Sequence, residues 1–312
     1  MEKDKRKIKP IFIALICTYI LIIILLCYLT INNNFNIDNE KKIEKQLNTE
    51  LTAHENEYNS FVEENKALMN RIDEINNIEK NLENVKSEVF NLASNLEKEI
   101  SDGNSNYKIA YLTFDDGPYY STNKVLEILN KYKIKATFFT IGLNKDICFD
   151  NKNFSCAETY KKIVDGGHTI ANHTYSHAIF YGLYNSTDSF ISQVKKQEEL
   201  IQNRTGVKTN ILRFPGGSTT AGILKNSIIE QLRKNNYGWV DWSAQDGDGG
   251  NLTSYDAAWS NFTNSINEPI EVVLFHDYSE ITISMLPQAI EYLQNNNYIL
   301  LPLFYDSIKI NK

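Results

Sequence analysis

Two patterns of apolar residues open the chain, and each predicts a different element. Residues 11–31 are apolar and carry no charge, and about 20 such residues cross the hydrocarbon core of a bilayer as a helix. Lys3, Lys5, Arg6, Lys7 and Lys9 precede them, which holds that end in the cytoplasm and sends the remainder outside. A cleaved signal peptide has a shorter apolar core and a small-residue cleavage site. Here the run ends in Leu29-Thr30-Ile31-Asn32. The expectation is a cytoplasmic tail over residues 1–10 and an uncleaved transmembrane anchor over residues 11–31.

Between residues 38 and 100, Ile43, Leu47, Leu51, Tyr58, Phe61, Leu68, Ile72, Ile75, Leu82, Val89, Leu96 and Ile100 recur in steps of three and four, with gaps at His54, Asn65 and Glu79. This heptad-like stripe predicts a long helix or coiled coil, which would extend about 90 Å. Such a stalk would carry the rest of the chain away from the membrane and offers a face for dimerisation; a helix folded back on the globular part has the same pattern. Residues 101–106, Ser-Asp-Gly-Asn-Ser-Asn, read as a flexible joint.

Beyond the joint the period changes. Short β-type runs at 109–114, 136–141, 169–171, 211–214, 238–242, 272–275 and 298–303 alternate with amphipathic segments at 122–132, 158–165, 189–202, 224–235, 257–265 and 284–295. That alternation predicts an α/β fold around a parallel sheet. In such folds chemistry gathers at the C-terminal ends of the strands.

Composition supports the same division. The first glycine is Gly103, and Pro10 is the sole proline before Pro118, so turn-forming residues belong to the C-terminal two-thirds. A net charge of -7 without a basic stripe argues against a nucleic-acid partner. Cys17 and Cys27 read as small apolar filler in the membrane run. Cys148 and Cys156 close a short loop; an oxidising compartment would permit a disulfide there, and two reduced thiols are the alternative.

The residues with chemical potential sit at expected strand ends. Asp115 and Asp116 occur in Thr-Phe-Asp-Asp-Gly-Pro. Neighbouring side chains on a strand point in different directions, so one carboxylate can ligate a metal while the other faces a reacting water; an ordinary turn is the plain alternative. His173 and His177, in His-Thr-Tyr-Ser-His, have the spacing of two ligands on one side of a helical turn. With Asp116 they would leave open positions for water and substrate. Arg213, in Arg-Phe-Pro-Gly-Gly-Ser, could orient a carboxylate, and Gly216 and Gly217 allow backbone N–H groups close to a ligand. His276 ends the run 272–275 and suits a proton donor; a structural role is equally open. Asp241 and Asp248 flank Trp242-Ser243, and either could hold the His276 ring through its N–H.

In order, TFDDGP, HTYSH, RFPGGS, DWSAQDGD and LFH resemble the five motifs of the polysaccharide deacetylase (NodB-homology) family. The resemblance implies a distorted (β/α) barrel of about seven strands over residues 107–303, followed by a C-terminal tail over 304–312. It implies a divalent metal, zinc ahead of other transition metals, on Asp116, His173 and His177. Asp115 would be the base, Arg213 would orient it, and His276 would be the acid. Spacing in the family places Asp248 behind His276, and the Gly216 N–H at the oxyanion. The implied activity is hydrolysis of N-acetyl groups on a polysaccharide. For a single-pass membrane protein whose catalytic domain is extracellular, the nearest such polymer is peptidoglycan, where deacetylation of N-acetylglucosamine would reduce lysozyme cleavage. An exopolysaccharide or chitin-like oligomer is the other substrate class, acetylated xylan a further one, and a non-catalytic sugar-binding module the reading outside enzymes. Two positions depart from the family pattern: Gly216 and Gly249 stand where aromatic residues are common, so substrate preference does not carry over.

Overall fold

The structure, a computed structural model, describes residues 15–24, 37–142 and 155–312. Of the expected membrane span, residues 15–24 are described and helical, and the remainder lies outside the described residues. Among the described residues no helix is long and apolar enough to cross a membrane. The chain divides into two compact units, Met1–Glu83 and Asn84–Lys312.

Helix α1 (Ile37–Ser101) occupies the segment that carries the heptad-like stripe. In the first unit that stripe is at best half-covered: Ile43, Leu47, Leu51, Phe61 and Ile72 are partly buried, whereas Leu68 and Ile75 are exposed. The last turns of α1 belong to the second unit. There Ala93, Glu97 and Ile100 are buried, and Ile100 joins a core cluster with Ile109 and Leu303. The Glu97 carboxylate accepts hydrogen bonds from the Tyr111 hydroxyl and, at 3.0 Å, from the Ile308 N–H. The compact unit thus starts within the helix, ahead of the expected joint at 101–106, because a buried carboxylate and apolar contacts fasten these turns. Residues 304–312, the expected C-terminal tail, pack onto this unit. Phe304 and Ile310 are buried, and Asn311 pairs with Trp239.

The rest of the second unit is a parallel sheet with covering helices. Its strands are β1 (Lys108–Asp115), β2 (Thr137–Thr140), β3 (Thr169–Asn172), β4 (Ile211–Leu212), β5 (Gly238–Trp239), β6 (Ala244–Gln245), β7 (Ile270–His276) and β8 (Tyr298–Leu301). The order is β5-β4-β3-β2-β1-β7-β6, and β8 pairs with the first half of β1. β5 and β6 are the two ends of one bent segment, residues 238–245, paired with β4 at one end and β7 at the other. Seven chain segments therefore form the curled sheet; of the expected strand at 238–242 only Gly238–Trp239 is strand, and the second short piece, Ala244–Gln245, lies beyond it. β1 lies at the centre: Ile109, Ala110, Tyr111 and Leu112 have no exposed surface. Burial on both faces explains its unbroken apolar run.

Helices α2 (Thr122–Lys131), α3 (Cys156–Asp165), α4 (Thr187–Thr205), α5 (Lys225–Lys234), α6 (Tyr255–Ser265) and α7 (Glu280–Asn295) connect the strands. Ser155, Ser186, Ser254 and Ser279 cap the N-termini of α3, α4, α6 and α7 through their side chains, each worth about 1 kcal/mol. Cys156, at the start of α3, is buried and disulfide-bonded; Cys148 lies outside the described residues.

Candidate active site

Strand register positions the site. In the β1–β7 ladder Asp115 lies opposite His276. One residue past β3, the His173 N–H bonds to the Thr140 carbonyl of β2 at 3.1 Å; one past β4, the Arg213 N–H bonds to the Asn172 carbonyl of β3 at 3.0 Å. The sheet therefore presents Arg213, His173, Asp115 and His276 at the C-terminal ends of its strands.

Asp116 follows β1 with φ 69°, turning its side chain out of the strand. Its Oδ1 lies 3.6 Å from His173 Nε2 and 3.4 Å from His177 Nε2. Ligands about 2.1 Å from a tetrahedral centre sit roughly 3.4 Å apart, so this spacing fits one small cation. The three residues form a group whose ligand atoms lie within 4.8 Å of one another. Asp116 Oδ1 is also buried and without a hydrogen-bond partner among the described residues, as an oxygen reserved for a cation would be. His173 Nδ1 donates to the Arg213 carbonyl at 2.8 Å, which leaves the Nε2 lone pair facing Asp116. Burial, then the neighbouring His177, push the His173 pKa well below its ordinary value, favouring the neutral form a ligand needs.

The two histidines do not share a helical turn, as their spacing suggested. Thr174 and His177 have φ of 64° and 50°, which a right-handed helix forbids. The loop is folded instead by the Thr174 N–H bonding to Asn172 Oδ1 at 2.9 Å and the His177 N–H to Thr174 Oγ1 at 3.3 Å. It still brings the two rings to 4.9 Å between centroids.

Asp115 borders this set. Arg213 Nη1 donates to its Oδ1 at 2.9 Å, and its Oδ2 lies 3.6 Å from His173 Nε2. Arg213 is wholly buried. It also donates to Thr113 Oγ1 and to the carbonyls of Val240 and Asp241, and its guanidinium lies 4.3 Å over the Phe139 ring. Burial raises the Asp115 pKa to about 6, against the lowering pull of Arg213 and His276.

His276 also borders the set. Its Nδ1 is 2.7 Å from Asp248 Oδ1, and its backbone N–H donates to Asp248 Oδ2 at 2.7 Å. Nε2 faces the histidine–aspartate set, 3.7 Å from Asp116 Oδ2. Burial opposes charge on His276, but the Asp248 hydrogen bond and the Asp248 and Asp116 charges outweigh it and raise the pKa to about 9. The ring packs close to the Gly249 backbone, where a Cβ would lie 2.8 Å from His276 Cε1. Asp241, the other candidate for supporting His276, instead accepts from Ser218 N–H at 2.8 Å and Ser218 Oγ at 2.5 Å. It pins the loop that carries Gly216, which is exposed and has φ 72°.

Thr113, Asp246, Thr282 and Tyr278 join the site without having been singled out from the sequence. For Thr113 a signal existed: it lies two residues before Asp115 on the same strand, so both face Arg213.

A sequence profile described as polysaccharide deacetylase matches residues 102–236. The solved catalytic domain of a peptidoglycan N-acetylglucosamine deacetylase from Eubacterium rectale aligns with a TM-score of 0.59 at 30% identity, covering 66% of this chain and 92% of that one. The chain belongs to the polysaccharide deacetylase family. A peptidoglycan-N-acetylglucosamine deacetylase of Bacillus cereus is 29% identical over 196 residues, 61% of this chain and 67% of that protein. A bifunctional xylanase/deacetylase of Pseudobutyrivibrio xylanivorans is 30% identical over 212 residues, and the match spans 66% of this chain but 31% of that protein. In this polysaccharide deacetylase Gly216 and Gly249 are both exposed. Beside Gly216 the space is taken partly by Ile179, whose Cδ1 would lie 3.2 Å from a Cβ at that position.

Proposed function

We propose that the second unit is a metal-dependent deacetylase that hydrolyses N-acetyl groups of a cell-wall polysaccharide, with the N-acetylglucosamine of peptidoglycan as its substrate. The reading is carried by one arrangement: a carboxylate and an imidazole both border the Asp116–His173–His177 set, Asp115 Oδ2 at 3.6 Å from His173 Nε2 and His276 Nε2 at 3.7 Å from Asp116 Oδ2. A divalent cation held by those three residues, zinc first among the candidates, would polarise the acetyl carbonyl and lower the pKa of water.

The remaining chemistry belongs to side chains of the chain itself. Asp115, whose pKa burial raises to about 6, accepts the proton of the attacking water. Arg213 keeps its carboxylate aimed. The Gly216 N–H is the candidate donor to the developing oxyanion. His276 delivers its Nε2 proton to the nitrogen as the C–N bond breaks, so that the sugar leaves as a neutral amine. Asp248 holds the imidazolium charged until that moment.

Aromatic rings beside the acid suit a carbohydrate. The Tyr278 ring lies 5.0 Å from that of His276, Tyr119 lies 6.0 Å from Tyr278, and Tyr120 lies 5.0 Å from Tyr119. These rings, with Tyr120 exposed, offer an apolar face with a polar tip, which matches the C–H faces and hydroxyls of pyranose units extending from the cleaved residue.

The choice of peptidoglycan rests on the expected anchor at residues 11–31, which would hold the protein in the cell membrane with this unit outside. The half-covered stripe of α1 supports pairing of two stalks. Freeing amines would add positive charge to the wall and hinder lysozyme.

Acetate release from purified peptidoglycan by the full chain tests the reading. Asp115→Asn should lower turnover by about 10²- to 10⁴-fold while bound metal stays constant; unchanged turnover discards Asp115 as the base. Release from chitooligosaccharides but not from peptidoglycan would reassign the substrate to a chitin-like oligomer. A chain that purifies without metal and releases no acetate would be a binding module.

A further inference from the structure

Behind the Asp248–His276 pair lies a second carboxyl group that the reaction does not require. Asp246 is wholly buried. Its Oδ1 accepts the Asp248 N–H at 3.1 Å, its Oδ2 lies 2.7 Å from Thr282 Oγ1, and its carboxyl is also within hydrogen-bond reach of the Asp248 carboxyl. The same threonine oxygen lies 2.8 Å from Asp248 Oδ2 and 2.8 Å from Ser279 Oγ.

Counting hydrogens decides the protonation. A threonine hydroxyl carries one hydrogen, so it cannot donate to both carboxylates. Were both ionised, one carboxylate oxygen would face the Thr282 oxygen at hydrogen-bond distance with no proton between them. Asp248 takes two N–H donors from His276, one on each oxygen, and is therefore the ionised member. The additional proton belongs on Asp246 Oδ2.

We infer that Asp246 is a neutral carboxylic acid that donates through Thr282 to Asp248, and that it serves as a positioning residue for His276. This rests on the reading of His276 as the acid. With Asp246 protonated, Thr282 accepts from it and turns its own hydrogen to Asp248 Oδ2. That locks the rotation of the Asp248 carboxylate, and with it the direction of the imidazole. It also keeps a second negative charge away from Asp248.

The surroundings agree. Burial, then the charge of Asp248, raise the Asp246 pKa to about 7. Helix α6 contributes Asn261, whose Nδ2 donates to the Asp246 carbonyl at 2.9 Å, and α7 contributes Thr282 and Ser279; none of these titrates. Asp248, on the same loop, is the ionisable neighbour in contact, with His276 of β7 beyond it.

Carbon-13 NMR of aspartate carboxyls in the full chain tests the protonation directly, the Asp246 signal being the one lost in Asp246→Asn. It should titrate near neutrality, well above the ordinary 3.8. Because this needs no turnover, it can fail or succeed apart from the deacetylase reading. In kinetics, Asp246→Asn retains a donor to Thr282 and should keep kcat within about twofold. Asp246→Ala and Thr282→Val should lose about 10- to 100-fold in kcat with KM little changed, and Thr282→Ser should restore the rate. An Asp246 signal that titrates like an exposed carboxylate overturns the inference. So does Asp246→Asn being as damaging as Asp246→Ala, or Thr282→Val being as active as Thr282→Ser.

Discussion

One carboxylate, that of Asp248, grips both the ring and the backbone of His276, each at 2.7 Å. Ring orientation and charge are thereby set by a single side chain. Burial alone would favour the neutral imidazole, and this carboxylate is the principal reason the pKa stands at about 9. Asp248→Asn should therefore move the alkaline limb of the kcat profile to lower pH by about one to three units, and lower kcat by about 10- to 100-fold. The sign extends to stability. A raised histidine pKa contributes stability that is complete below about 6.5 and lost as pH rises through the folded value. The variant should thus lose stability at neutral pH; an alkaline limb left in place would separate Asp248 from the proton that His276 donates.

The His276 ring rests against the Gly249 backbone, where a Cβ would lie 2.8 Å from Cε1. Gly249→Ala should push the ring aside and cost about 10²-fold in kcat, the usual consequence of displacing a reacting group by about 1 Å. Metal content should be unchanged, because His276 is outside the Asp116–His173–His177 set. Kinetics with parallel metal analysis checks both halves.

Arg213 and Asp115 form a buried pair at 2.9 Å with essentially no exposed surface. Arg213→Met should destabilise the second unit by about 3–5 kcal/mol, because it strands a buried carboxylate. The Asp115 pKa, already about 6, would rise further, so the stability loss should be larger at pH 7 than at pH 4, the increase coming above about pH 6, where the native chain's folded Asp115 releases its proton and the variant's keeps it. Urea unfolding at both pH values reads this directly.

The tyrosine strip predicts dependence on substrate length. Replacing Tyr119 and Tyr120 with Ala should raise KM for a tetrasaccharide by up to about thirtyfold, since each aromatic contact is worth roughly 1 kcal/mol. KM for the shortest substrate, which reaches only the ring beside His276 and Tyr278, should stay the same. An equal rise for both lengths would argue against an extended binding strip.

Chelation offers a reversible check. Removing divalent metal should abolish turnover, and zinc should restore it in the native chain. In His177→Ala restoration should be poor, because that variant leaves two of the three ligands. Metal content measured before and after reconstitution reports the outcome without relying on rate alone.

Much of this protein could be read from local pattern. Period and turn residues outlined α1, the parallel strands and the covering helices, because burial on one stripe or on both faces leaves a repeating apolar signature. Residue type and position at strand ends singled out Asp115, Asp116, His173, His177, Arg213 and His276. The curled sheet collects strand ends, so chemistry placed there converges whatever the loops do.

Pairings through space were another matter. The choice between Asp241 and Asp248 depended on which loop reaches β7, and one of them turned out to pin Ser218. The HTYSH segment keeps helix-like spacing, yet two positive φ angles make it a folded loop. The last turns of α1 share one amphipathic pattern with the turns before them, and docking is decided by where Tyr111 and Ile308 lie. The proton on Asp246 follows from three side chains and one shared hydroxyl. A linear pattern reports which faces of an element are apolar, whereas hydrogen-bond partners and burial depend on distances between segments far apart in the chain.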